Sequence, residues 1–194
     1  MRRYPKGSRA AEHAGSGTLG PQTQQDLNAL DTSADTEHIV IRPATSADSP
    51  QLGRLGALLI DTHHAFDARR FLEARDRTPI DYAAFLARQI SDPDSIVLVA
   101  VDRGGVVGYA YATVEGVDYM SLRGPAGVLQ DIIVDPASRK HGIGRRLLDA
   151  TVDALAGRGV PQIVLSTAEQ NVGAQHLFAS AGFRRTMVEM TRDL

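Results

Sequence analysis

The sequence predicts an α/β domain in which β runs alternate with segments of helical periodicity. β-branched runs at 95–101 and 106–114 are joined through Gly104-Gly105, a pattern typical of an antiparallel hairpin. A further run at 128–134 leads through a basic, glycine-containing loop into a segment whose apolar residues recur at helical spacing. The predicted order of elements is therefore β-α-α-β-β-β-α-β-α-β, with about four helices.

A strand and two helices precede the hairpin. The run at 38–41 is β-branched and is closed by Pro43, and the polar residues 45–48 supply side chains that begin helices. We expect the first helix to loosen around 61–67 and the second to run from Thr78-Pro79 to Asp92-Pro93. The leucines at helical spacing in the first helix are Leu52, Leu55, Leu58 and Leu59.

Glycines and capping residues mark the elements after residue 134. A helix follows the glycine loop, then a strand, a second helix and a last strand. The predicted boundaries are Gly157 or Gly159 for the end of the first of these helices, 162–166 for the strand, Asn171 or Gln170 for the start of the second helix, Gly182 for its end, and Phe183–Met190 for the last strand.

Residues 1–37 differ in composition from the rest of the chain. They are rich in Gly, Ser, Thr, Gln, Ala and Asp, and their few large apolar residues form no sustained periodic face. We expect a disordered extension over 1–37, followed by one folded domain over 38–194. Removal of the extension should leave the fold intact.

Composition excludes several classes of function. The chain has 194 residues, a formal net charge of -2 and no cysteine. The charge balance provides no positive field that would hold a nucleic acid or an anionic membrane, and no apolar run approaches the roughly 20 residues that span a bilayer. The absence of cysteine removes disulfides, thiolate metal sites and a cysteine nucleophile, and fits a cytoplasmic location.

The segment 130–148 carries the clearest chemical information, because a buried strand leads through a glycine loop into a helix. The first N–H groups of a helix lack partners within it, and the helix dipole is positive there, so such a loop binds anions. Gly142 and Gly144 leave room for a phosphate to approach the backbone. The basic residues that flank the loop are Arg139, Lys140, Arg145 and Arg146.

Two nucleotide-binding patterns fail in this segment. A Walker loop needs Gly-Lys-Ser or Gly-Lys-Thr, and the sequence has Gly144-Arg145-Arg146. A dinucleotide fingerprint needs a third Gly or Ala where Leu147 stands, and an acidic ribose ligand in the next strand, which is apolar at 163–165.

The remaining pattern resembles the GNAT N-acetyltransferase superfamily. In that family an Arg/Gln-x-x-Gly-x-Gly/Ala loop between a strand and a helix binds the pyrophosphate of acetyl-CoA. The similarity covers about 39–194 and is sharpest over 129–183. Its motifs here are Asp135-Pro136, Arg139-x-x-Gly142-x-Gly144, and Asn171-x-x-Ala174-x-x-Leu177-Phe178-x-x-x-Gly182-Phe183.

The resemblance implies a GNAT-like mixed, mostly antiparallel twisted sheet flanked by helices, with acetyl-CoA as co-substrate. The fourth and fifth strands, here 128–134 and 162–166, would splay apart, and the pantetheine would lie in the gap as an added strand does. The implied cofactor-binding residues are Ile132, Ile133, Val134, Arg139, Lys140, His141, Gly142, Ile143, Gly144, Arg145, Asn171 and Phe178.

The implied reaction is direct attack by a neutral primary amine on the thioester, which needs a base and a donor to the carbonyl oxygen. The amide of Val134 is the family-based choice for the donor. For the base we favour Asp131, because a carboxylate in an apolar strand is costly to bury unless it is paired or used. The alternative is that Asp131 is satisfied by backbone amides or Arg123. Glu169 and Glu189 are reserve candidates.

Phe178 departs from the family pattern. The usual residue there is a tyrosine that protonates the departing thiolate, so the proton would have to come from Ser166, Thr167 or water. This departure keeps open a second class of function, a non-catalytic module that binds acyl-CoA as a sensor or interaction domain.

The acceptor is open among a small metabolite, an aminoglycoside-like amine and a peptide amine. A cationic acceptor would be favoured by acidic lining, and an amino acid or peptide by an apolar cleft. We expect the adjacent pair His63-His64 to mark a polar helix end or to line the acceptor pocket, with no metal bound. The resemblance to the superfamily also suggests a homodimer. The acidic residues considered for the lining are Asp61, Asp67, Glu115 and Asp118.

Overall fold

The computed structural model describes residues 38–194, and the extension predicted at 1–37 lies outside them. A five-stranded sheet has the order β1-β2-β3-β4-β5. The first four strands are antiparallel neighbours, and β5 is parallel to β4. The mixed, mostly antiparallel sheet is thereby confirmed. The strands are β1 Ile39–Pro43, β2 Ser95–Asp102, β3 Gly105–Glu115, β4 Ala126–Val134 and β5 Ile163–Leu165.

Helices cover both faces of the sheet, and two hydrophobic clusters result. Along β2, Ile96 and Leu98 belong to the cluster beneath one pair of helices, and Val97 and Val99 belong to the cluster beneath the other pair. Burial on both faces explains why β2 is an unbroken apolar run. The helices are α1 Ser49–Phe66, α2 Thr78–Ile90, α3 Ile143–Ala156 and α4 Val172–Ser180, with 3₁₀ turns at Ser46–Asp48 and Pro136–Ser138.

The start of α1 is fixed by a buried carboxylate. Asp48 accepts two hydrogen bonds of 2.8 Å from the guanidinium of Arg42 on β1, and a third of 2.7 Å from the amide of Thr45. The bonds from Arg42 hold the pKa of Asp48 far below its usual range. This group joins the first strand to the first helix.

The helix α1 crosses α2 at two glycines. A methyl group at Gly53 would lie 2.0 Å from the carbonyl oxygen of Pro79, and one at Gly56 would lie 2.1 Å from the ring of Tyr82. Neither position can hold a larger residue without moving the neighbouring helix, so these glycines set the distance between the two helices.

The structure differs from the sequence prediction at the end of α1. The helix continues to Phe66 and does not loosen at 61–67. Two of its polar residues find partners within the helix, since the hydroxyl of Thr62 donates to the carbonyl of Leu58 at 2.7 Å and Nδ1 of His63 lies 2.9 Å from the carbonyl oxygen of Leu59.

No helix in the described part of the chain is long and apolar enough to cross a membrane.

The predicted last strand, Phe183–Met190, is wrong. These residues pair with no strand of the sheet in the described structure, and all of them beyond Phe183 are exposed. Side chains hold the segment instead: Arg70 donates to Glu189 at 2.5 Å, and Arg185 donates to Gln175. Because β5 has three residues, it offers a short edge for a further strand.

Candidate active site

A gap opens between β4 and β5 because the two strands pair over only three residues each. Gly127 to Leu129 of β4 pair with Ile163 to Leu165, and the remainder of β4 has no partner on that side in the described structure. The β3–β4 register shifts from Tyr111 opposite Asp131 to Ala112 opposite Leu129. The extra residue forms a β-bulge, which bends β4 away from its neighbour. The predicted splaying of the fourth and fifth strands is confirmed.

The bulge also determines which amides of β4 face the gap. The amide of Asp135 donates to the carbonyl of Val107 on β3 at 2.8 Å. Because successive amides of a strand point to opposite sides, the amide of Val134 points away from β3 and into the gap. A strand-like ligand could therefore bind to this edge.

A cavity of about 950 Å³ occupies the gap. It reaches from the N-terminus of α3, along the free edge of β4, to the C-terminal end of α1. All the residues predicted to bind cofactor except His141 line it, and Asp131 lines it as well. The structure thus brings together residues that are up to 47 positions apart in sequence, from Asp131 to Phe178.

The glycine loop at the start of α3 has the conformation of an anion cradle. Lys140 and Gly142 both adopt left-handed backbone conformations, with φ of 70° and 71°. A methyl group at Gly142 would meet no atom within 4 Å, so the backbone angle and not lack of space explains the glycine. Left-handed residues beside free helix N–H groups turn successive amides toward one concavity, which suits a phosphate.

Three of the four basic residues predicted around this loop line the cavity, and the fourth does not. Arg139 donates from Nε to the carbonyl of Val134 at 3.1 Å, and Arg145 pairs with Asp149 at 2.8 Å. Lys140 is the third basic residue that lines the cavity. Arg146 instead donates to the carbonyl of Ile39 at 2.7 Å, on the opposite side of α3. The prediction that Arg146 contacts phosphate is therefore wrong, because its position on α3 faces the sheet.

His141, Asn171 and Phe178 have distinct places in the site. His141 lies in the loop but outside the cavity lining, with Nδ1 3.4 Å from the carbonyl oxygen of Ser138. Asn171 caps α4, since its side chain accepts a hydrogen bond of 3.2 Å from the amide of Ala174. Phe178 is buried against the cavity, where it meets Phe183 edge to face at 6.1 Å.

Asp131 is held by two tyrosines at the other end of the cavity. The hydroxyls of Tyr82 on α2 and Tyr109 on β3 both donate to Oδ2, at 2.5 Å and 2.9 Å. Burial raises the pKa of Asp131, and the two hydroxyl donors offset part of that effect. Within residues 38–194, Oδ1 accepts no hydrogen bond, so it is free to accept one from a ligand.

The expected alternative partner of Asp131 is wrong, because Arg123 pairs with Glu115 at 2.7 Å. No local sequence pattern indicates either tyrosine as a partner of Asp131. Tyr82 stands 49 positions from Asp131 and its role depends on how closely α2 approaches the sheet, which no local pattern reports.

The end of the cavity beside Asp131 is mainly apolar. None of the four acidic residues considered for its lining, Asp61, Asp67, Glu115 and Asp118, contributes to it. His63 does line it, whereas His64 turns away and places Nδ1 3.1 Å from the carbonyl oxygen of Phe71. Among residues 38–194, no three His, Asp or Glu side chains are grouped as they would be around a metal ion. The lining residues at this end are Leu59, Ile60, Thr62, His63, Phe66, Arg70, Phe71, Leu72 and Tyr82.

The acetyltransferase (GNAT) family model matches residues 60–183. The chain belongs to the GNAT acetyltransferase family, which confirms the predicted family. It is 32% identical to the N-alpha-acetyltransferase RimI of Mycobacterium tuberculosis over 78% of this chain and 82% of that protein. It is 36% identical to a mycothiol acetyltransferase of Thermobispora bispora over 51% of this chain and 33% of that protein.

The chain spans between a third and a half of the length of the mycothiol acetyltransferases of Thermobispora bispora and of a Nocardioides species, at 33% and 47%. Among solved structures, a mutant of the BH1408 protein of Bacillus halodurans has a TM-score of 0.70 at 24% identity, over 80% of this chain and 99% of that chain. A protein of Clostridium acetobutylicum described as a predicted acetyltransferase and solved with acetyl-CoA has a TM-score of 0.58 at 17% identity, over 79% and 96%. These likenesses show the fold.

Proposed function

We propose that this chain transfers the acetyl group of acetyl-CoA to the nitrogen of a primary amine by direct attack. One observation carries the proposal: a single cavity joins the anion cradle at the start of α3 to the carboxylate of Asp131 along the free edge of β4. Acetyl-CoA supplies an electrophilic thioester carbonyl when it is bound, and family membership supports its choice as co-substrate.

The cofactor end of the cavity suits a pyrophosphate followed by an extended amide chain. The amides at the start of α3, with the cations of Arg139, Lys140 and Arg145, would hold the phosphates. The free edge of β4 at 132–134 would pair with the pantetheine amides. The other residues proposed to contact the cofactor are Ile143, Gly142, Gly144, Asn171 and Phe178 along the wall, and His141 through its place in the loop.

The acceptor end can prepare an amine for attack. An ammonium group must lose a proton before its nitrogen can attack, and a carboxylate with a raised pKa accepts protons more readily than an ordinary one. Asp131 has such a pKa, and its Oδ1 is available. The Val134 amide, which points into the gap, would stabilise the carbonyl oxygen during attack.

Apolar lining favours an amino acid or peptide amine as the acceptor over a polycation. Asp131 is the one acidic residue that lines the cavity in the described structure, and Arg70 adds a cation at its acceptor end. A polyamine would need further carboxylates to replace its water, and a sugar would need more polar groups than this end provides. The similarity to RimI, named as an N-alpha-acetyltransferase, points to the same class.

A panel of amines tests this function. Thiol release from acetyl-CoA is measured with short peptides that begin with apolar residues, with the same peptides already N-acetylated, with an aminoglycoside and with glucosamine 6-phosphate. We expect turnover with the free peptides and none with their acetylated forms. Tight binding of acetyl-CoA without turnover for any amine would instead support the sensor or interaction module.

A further inference from the structure

We infer that His63 is a second proton acceptor in this active site, working beside Asp131. The inference rests on the proposed function, and it starts from the proton balance of that reaction. An ammonium substrate loses one proton to become a neutral amine and a second as the C–N bond forms. The C–S bond breaks, its electron pair stays with sulfur, and the thiolate takes up one proton. Two protons therefore leave one nitrogen, and one is released to solvent.

One carboxylate can accept only one of these protons, and it must release that proton before it can accept the second. A second acceptor within the same cavity removes that delay, because the two protons can then leave in succession. Imidazole is the side chain best suited to this task near neutral pH. His63 is the one histidine that lines the cavity in the part of the chain the structure describes.

The orientation of the His63 ring is fixed by the end of α1. Its Nδ1 lies 2.9 Å from the carbonyl oxygen of Leu59, and a carbonyl can only accept, so in the neutral ring Nδ1 carries the proton. The unprotonated nitrogen is then Nε2, which can accept a proton. The rings of Phe66 and Phe71 meet the imidazole edge to face at 5.9 Å and 5.2 Å and hold its plane.

Ionisable groups from several elements lie at the same end of the cavity as His63. Asp131 on β4 is near enough that a positive charge on His63 lowers the pKa of Asp131, so the two groups share one electrostatic environment. The other ionisable groups facing this end are Tyr82 from α2, Tyr109 from β3 behind Asp131, and Arg70 from the segment after α1. Arg70 is partly neutralised, because its guanidinium pairs with Glu189 at 2.5 Å.

The neighbouring histidine provides a matched control. His64 has the same side chain, lies on the same helix and also makes a contact through Nδ1, with Phe71 at 3.1 Å, but it does not line the cavity. Substitution of either histidine by glutamine removes one imidazole from the end of α1. Only the loss of His63 should affect proton transfer.

The test is the pH profile of kcat/KM for the preferred peptide amine in wild type, His63→Gln and His64→Gln, at saturating acetyl-CoA. With two groups that must both be unprotonated, the wild-type rate should fall about 100-fold per pH unit on the acid side, and with one group about 10-fold. We expect His63→Gln to show the shallower slope and His64→Gln to keep the wild-type slope. Acetyl-CoA affinity should be unchanged in both variants.

Three outcomes would overturn the inference, and they are distinguishable. A His63→Gln enzyme that is slower at every pH with the wild-type slope would show a packing role. Equal effects in both variants would show a general disturbance of α1. No turnover by wild type with any amine, with acetyl-CoA still bound, would contradict the proposed function itself and the role of His63 with it.

Discussion

The backbone of Gly56 lies against the ring of Tyr82, so closely that a methyl group at Gly56 would come within 2.1 Å of Cδ1. The same tyrosine donates its hydroxyl to Asp131 at 2.5 Å. A glycine on α1, with no side chain of its own in the cavity, therefore determines whether α2 can deliver a hydrogen bond to the carboxylate on β4.

The substitution Gly56→Ala should disturb both packing and catalysis. Overpacking of this kind costs about 1–3 kcal/mol of unfolding free energy. Displacement of Tyr82 would remove a hydrogen bond that lowers the pKa of Asp131, so that pKa should rise further and the acid limb of the pH–rate profile should move to higher pH. Chemical denaturation and pH–rate measurements test these effects.

Two further variants separate the causes. Tyr82→Phe removes the same hydrogen bond without a clash, so it should move the acid limb of the pH–rate profile in the same direction. The double variant Gly56→Ala/Tyr82→Phe should move the acid limb no further than Tyr82→Phe alone. Gly157→Ala, at the end of α3, provides the control, since the nearest atom to its methyl group would be 3.4 Å away. A Gly56→Ala enzyme with the wild-type acid limb would contradict the role assigned to Tyr82.

Asp131→Asn should remove activity and increase stability at neutral pH. Loss of a general base slows turnover by about 10²- to 10⁴-fold. The folded state binds the Asp131 proton more tightly than the unfolded chain, so the wild-type unfolding free energy falls as pH rises from the ordinary carboxyl pKa, about 3.9, through the raised value. The Asp131→Asn variant has no carboxyl group at this position, so its unfolding free energy shows no such fall. Urea denaturation across pH 4–8 measures the difference, which should grow with pH; a difference that shrinks with pH would contradict the raised pKa.

Lys140→Gly should stabilise the fold and weaken cofactor binding. A non-glycine residue at φ 70° carries backbone strain, and glycine should recover about 0.5–1 kcal/mol of unfolding free energy. Loss of the Lys140 ammonium group, which we propose contacts phosphate, should weaken acetyl-CoA binding by about 10-fold. Arg103→Gly, at φ 47° in the β2–β3 turn, is the control, since it should gain stability with unchanged affinity. Equal affinities for the two variants would remove Lys140 from the phosphate site.

Asp48→Asn should destabilise the fold without affecting the cavity. Its bonds with Arg42 and Thr45 involve a charged acceptor, and loss of that charge should cost about 1–3 kcal/mol at pH 7. The pKa of Asp48 is lowered on folding, so this stability is present above the ordinary carboxyl pKa and is lost as pH falls through the folded value. Denaturation at pH 7 and pH 3 should therefore show a larger difference from wild type at pH 7.

The features that depend on residues near one another in the chain are predictable from the sequence. The hairpin through Gly104-Gly105, the cap at Asn171 and the loop at Gly142 each have a local chemical cause, and the structure contains all three. The Tyr82–Asp131 bond and the direction of Arg146 depend instead on packing across the sheet. The strand predicted at Phe183–Met190 failed for the same reason, because β propensity does not supply a partner strand.

The most direct test of the central claim, that the α3 N-terminus cradles the phosphates of acetyl-CoA, is an isothermal titration of wild type, Gly142→Asp and Gly159→Asp. The two glycines have φ of 71° and 73°, and a methyl group at either meets nothing within 4 Å. The two substitutions should therefore introduce the same backbone strain. We expect wild type and Gly159→Asp to bind in the micromolar range and Gly142→Asp to bind at least about 10- to 100-fold more weakly. Equal binding by all three proteins, or no binding by wild type, would contradict the account.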